Sequence, residues 1–105
     1  MKKFLLLMMI VAFVGSNSAN AFTIIGTGVN SCGKFLNERS DHQLNQHYIA
    51  WMLGFITALN HEQRIDLKES IDSDGIYYAV KNRCEDEPLD EFWNAIWWVH
   101  KNELK

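Results

Sequence analysis

Residues 41–60 read DHQLNQHYIAWMLGFITALN, and the periodicity of this stretch decides the fold. Leu44, Tyr48, Met52, Phe55 and Leu59 recur at steps of three and four, flanked by Ile49, Trp51 and Ile56. That spacing builds a wide apolar stripe on a helix of 3.6 residues per turn. Gly54 lies inside the stripe, where glycine costs about 1 kcal/mol relative to alanine. Close approach of another helix is the expected compensation.

Shorter helices flank this one. Asn30 or Ser31 can cap a helix that places Cys32, Phe35 and Leu36 on one face, by i, i+3 and i, i+4 spacing. The polar run His61–Asp72 reads as a loop. Asp72-Ser73-Asp74-Gly75 supplies a turn and a cap, and a third helix then carries Ile76, Val80 and Cys84 until Pro88 ends it. A fourth helix runs from Asp90 to about Leu104, with Phe92, Ile96 and Val99 inward and Trp93, Trp97 and Trp98 spread around its sides. Ahead of all four, Phe22–Val29 is rich in glycine and β-branched residues and reads as an extended arm. The expectation is an all-α fold: one small four-helix domain, residues 22–105, with an extended N-terminal arm and one disulfide.

The disulfide follows from the start of the chain. Lys2 and Lys3 precede an apolar block, Phe4–Val14, and a small-residue ending, Ala19-Asn20-Ala21. These are the three regions of a secretory signal peptide over residues 1–21. The block is shorter than the roughly 20 apolar residues a membrane span needs, and no cysteine follows the expected cut to carry a lipid. The product is expected in the periplasm or secreted, where its two cysteines, Cys32 and Cys84, meet an oxidising environment and pair. Closing the loop between them, a sequence separation of 52, contributes roughly 4 kcal/mol by chain entropy, much of the net stability of so small a domain.

Charge narrows the partners. The formal charge of −3 deepens to −5 once Lys2 and Lys3 are removed. Nucleic acid and anionic membrane both require basic patches and are not expected. Other proteins, or a second copy of this chain, are. No cofactor is expected. Asp72–Gly75 lacks the acid before its glycine and the glutamate after it that a calcium loop needs, since Ser70 and Lys81 hold those places. His42, His47, His61 and His100 form no H-x-x-x-H pair, and solvated histidines are the expectation; no metal site is expected. Neither a nucleophile elbow nor a Cys–His pair is present, so the chain does not read as an enzyme.

Two features remain as candidate protein-binding surfaces. Glu85, Asp86 and Glu87, with Asp90 and Glu91, place five carboxylates within seven residues. Trp93, Trp97 and Trp98 crowd one helix. Trp97 and Trp98 point about 100° apart, so at least one of them is expected to reach a second surface. Tryptophan is enriched at protein interfaces.

The frame Cys32-x-x-Phe35-Leu36, then Gly54-Phe55-x-x-Ala58-Leu59-Asn60, then Asp74-Gly75-Ile76, Val80, Cys84 and Phe92, resembles the periplasmic acid-stress chaperones of the HdeA/HdeB type. The resemblance covers most of the chain after the arm. It implies a small disulfide-bonded helical fold, a dimer at neutral pH, and apolar surface exposed in acid to hold unfolding clients. The connection between the second and third helices is more charged than that pattern, and the fourth helix is richer in tryptophan. Tyr48-Ile49-Ala50-Trp51 also looks like the Rap/Tai immunity proteins of type VI secretion, which bind and block a cell-wall amidase. The expected function is thus an exported chaperone-like protein responsive to acid. The alternatives are an immunity or inhibitor protein, or an accessory subunit of an envelope assembly.

Overall fold

A computed structural model describes residues 23–105; the expected signal peptide lies outside the described residues. The architecture is all-helical. Helix α1 spans Cys32–Glu38, α2 His42–Gln63, α3 Ser73–Asp86 and α4 Phe92–Val99, and α4 continues into a π turn, His100–Leu104. Among the described residues no strand forms, and no helix is long and apolar enough to cross a membrane.

Local chemistry sets most of the boundaries. Ser31 Oγ accepts from Lys34 N, Asp41 Oδ1 from Leu44 N, and Asp72 Oδ1 from Gly75 N, so three helices open on side-chain caps. Asp72–Gly75 is therefore a turn and a cap, as its sequence indicates. Helix α2 outruns its expected end at Asn60 by three residues. It stops where Arg64 takes a left-handed conformation, φ 53°, with its N–H on Asn60 O. The rest of the expected loop is irregular but not detached, because Leu67 and Ile71 pack against the core.

The centre of the core is Phe35, with no exposed surface. Its ring lies 5.0 Å from Tyr48, 4.6 Å from Phe92 and 5.9 Å from Tyr77, so one side chain of α1 touches each of the other helices. The edge-on and tilted geometries are those aromatic rings prefer. Beside it the Cys32–Cys84 disulfide joins α1 to α3 across a Cα–Cα distance of 4.8 Å, with both residues fully buried. Backbone bonds complete this end: Cys32 N–H to Asp90 O, Gly33 N–H to Pro88 O, and Phe92 N–H to Asn30 O.

Two tyrosines enter the core without losing their hydroxyl partners. Tyr48 Oη accepts from Asn30 and donates to Glu38, and Tyr77 Oη accepts from Arg39 and donates to Asn45. Burial, foremost, pushes the Tyr48 phenol above its usual range.

Two sequence expectations need correction. The arm is extended only as far as Ile25. It then turns at Gly26, φ 97°, into a 3-10 turn, Thr27–Val29, that folds back over α2. The reason is Trp51, whose indole N–H donates to Ile25 O at 2.7 Å and whose ring occupies the space a Cβ at Gly28 would need. Close backbone approach in this fold thus belongs to Gly28, not to Gly54. Gly54 is exposed, and a Cβ there would meet no atom within 4 Å. No helix covers it.

Candidate functional site

The second half of α2 and the outer side of α4 meet in a groove of about 380 Å³. Phe55, Ala58, Leu59, Glu62 and Gln63 line one wall, a set spaced for one helix face. Trp93 and Trp97 form the other wall. The groove is apolar along most of its length and polar at the Glu62–Gln63 end. Phe92, Ala95, Ile96 and Val99 take the buried side of α4, which turns Trp97 outward, 40% exposed, with the Lys101 ammonium 5.3 Å from its ring centroid. Trp93 is half-buried, and its indole N–H donates to the Glu91 carboxylate.

The three candidate tryptophans therefore divide. Trp93 and Trp97 come together. Trp98 lies on another face, half-buried, with the Arg83 guanidinium stacked 4.2 Å over its ring. A second, polar cavity of about 350 Å³ opens there, bounded by Tyr78, Asn82, Asp86 and Glu103 among others. The acidic run lines neither wall of the tryptophan groove. Glu85, Asp86 and Glu87 are all exposed at the end of α3, with Glu85 ion-paired to Lys81 at 2.6 Å and Asp86 on the rim of the Trp98 cavity. The turn that follows thrusts Leu89 into solvent, 96% exposed.

One histidine is not solvated. His100 is 1% exposed, at the junction of α4 and its π turn, and its Nε2–H donates to Asn60 Oδ1 of α2 at 2.8 Å. Burial, and secondarily the Lys105 charge, lower its pKa below the ordinary imidazole value. Both residues sit beside groove residues: Asn60 follows Leu59, and His100 lies one turn beyond Trp97. The helical stripe of residues 41–60 pointed to Leu59 and Phe55 as core; it held no sign that they also form a wall. The signal for His100 was its spacing from Ile96 and Trp97, which a lone histidine at the end of an aromatic helix does not make conspicuous.

The arrangement offers binding chemistry: apolar surface, two indoles and a polar end. Among the described residues no group of three or more His, Cys, Asp or Glu side chains converges as a metal site requires. No protein-family model, curated protein or solved structure matches this chain.

Proposed function

We propose that this chain is an exported protein that binds other proteins without catalysis, and that it acts as an acid-responsive chaperone. The single observation that carries this reading is the open apolar groove between α2 and α4, with Trp97 on its lip. A groove of that kind suits apolar segments of unfolding polypeptides better than a small polar ligand. Composition supplies the response to acid. Its 13 carboxylates neutralise at low pH while lysines, arginines and 4 histidines stay charged. Such self-repulsion loosens a small helical core and enlarges its apolar surface, while the disulfide limits the opening. The resemblance to HdeA/HdeB-type proteins is consistent with this reading.

The test is light scattering from an aggregation-prone client held at pH 2–3 with the oxidised protein and then neutralised. Suppressed aggregation, weakened by Trp97→Ala and by reduction of Cys32–Cys84, supports the proposal. Undiminished aggregation together with native tryptophan fluorescence in acid sinks it.

A second reading, an inhibitor or immunity protein, is favoured by one feature. Leu89 stands exposed beside Glu85, Asp86 and Glu87 on a turn braced by the Pro88 O bond to Gly33 N–H. A partner with a basic, apolar-floored cleft would fit it. A stable neutral-pH complex recovered from envelope extracts and abolished by Leu89→Asp would establish that reading. A complex indifferent to the substitution would remove it.

A further inference from the structure

The contact between α2 and the end of α4 depends on a side chain that changes charge in mild acid. His100 is the buried titratable residue of this interface, fully enclosed where α4 gives way to a π turn. A π turn widens the helix and leaves its hydrogen-bond ladder weaker than an α-helix, a feature often found at functional sites. The turn is secured by the buried side chain of Leu104, by the Asn102 amide on Trp98 O, and by the bond from His100 to Asn60. The last of these ties the turn to α2 by a side-chain hydrogen bond. It spans 40 residues of sequence, and its two residues follow the groove-lining Leu59 and Trp97 along their helices.

We propose that His100 and Asn60 form a proton-operated latch, closed while the imidazole is neutral, whose release frees the end of α4 from α2 and opens the groove. The inference rests on the acid-responsive reading above and adds its trigger. With Nε2–H already donating to Asn60, a second proton enters at Nδ1 and creates a cation inside the interface. Among the described residues no ion pair reaches it. Asn60 is neutral, and Lys105, on the same turn, is a like charge. The other ionisable groups at this end are Lys101 and Glu103 on the turn, His61, Glu62 and Arg64 at the end of α2, and Arg83 of α3, which is stacked on Trp98. None of them makes an ion pair or hydrogen bond with His100.

The direction of the response follows from linkage. Above the ordinary imidazole pKa of about 6.5 the group is neutral in both the closed and the open chain, and its full contribution to the closed form is present. As pH falls below that value the open chain takes up the proton first, because burial depresses the closed-state pKa. Stability of the closed form is then lost progressively as pH falls through the closed-state value. Acid therefore acts at the α2–α4 end through His100.

The experiment is an acid titration of the oxidised protein followed by tryptophan fluorescence, in the wild type, His100→Gln and the exposed-site control His47→Gln. Glutamine keeps a donor for Asn60 and cannot take a proton. The latch predicts that His100→Gln moves the opening midpoint down by roughly one pH unit, from the histidine range towards the carboxylate range, and that His47→Gln does not move it. An unchanged midpoint in His100→Gln overturns the proposal. Should that variant fail to fold, NMR titration of the wild-type imidazoles decides. His100 titrating below the ordinary imidazole value of about 6.5, in step with the loss of α4–α2 contacts, supports the latch; titration at that value with the contacts intact overturns it. Client aggregation measured on the same samples separates the two claims. Opening that depends on His100 without client holding keeps the latch and removes the chaperone. Client holding by His100→Gln at the wild-type pH does the reverse.

Discussion

The two ends of this molecule are held by different physics. At one end Phe35, Tyr48 and Phe92 stack within 5.0 Å of one another beside the buried Cys32–Cys84 bridge, and three inter-element backbone bonds cross the same region. At the other end α4 meets α2 through half-exposed indoles, the aliphatic side of Leu59 and one hydrogen bond from a histidine. The first end is held several times over: loss of one interaction leaves the others in place. The second carries no disulfide, and one of its contacts titrates. Low local stability at this end is what the proposed opening of the groove requires, and its separation from the disulfide end would let that opening occur without loss of the fold.

The sharpest way to break this comparison is to remove the centre of the rigid end. Phe35→Ala deletes a fully buried ring that touches three helices and is expected to cost about 3–5 kcal/mol, read as a lowered urea midpoint. A loss below about 1 kcal/mol would mean that the aromatic cluster is not what holds this end together.

A smaller effect tests the loose end. Asn60→Ala leaves the buried His100 ring without its partner, which is expected to cost about 1–2 kcal/mol near neutral pH. Hydrogen exchange should accelerate in α4 beyond Ile96 and in the π turn, with α1 amides unchanged. Uniform acceleration across all helices would erase the distinction between the two ends.

The smallest change has the opposite sign. Gly54 is exposed on the far side of α2, and the space beyond it is empty. Gly54→Ala should therefore stabilise the protein by about 0.5–1 kcal/mol, visible as a raised Tm. A fall in Tm would indicate that Gly54 is covered in solution by something that a methyl group displaces.

Much of the fold was legible in residues 31–104 because each helix carries its own instructions. Ser31 and Asp72 announce their helices, and Pro88 and Leu89 separate α3 from α4. Of the stripe in residues 41–60, Tyr48, Met52 and Ile56 are buried, Ile49, Trp51, Phe55 and Leu59 are half-buried, and Leu44 is exposed. The candidate site was legible only in part. An excess of tryptophan on α4 indicated a second surface, and Trp97 reaches one. Which indoles would share it was not legible, because Trp93 and Trp97 are joined, and Trp98 separated, by the rotation of α4 about its axis. That rotation is set by Phe92, Ala95, Ile96 and Val99 as they find the core.

Periodicity, caps and the two cysteines are local or covalent properties, and from them the sequence alone determined an all-helical chain of four helices with Cys32 paired to Cys84. Tertiary structure decided which glycine is crowded and which histidine is dry. Gly28 meets Trp51 from a distant helix, Gly54 meets nothing, and buried His100 meets Asn60 of a helix remote in sequence. Crowding and desolvation arise between segments remote in sequence, so no window along the chain contains them.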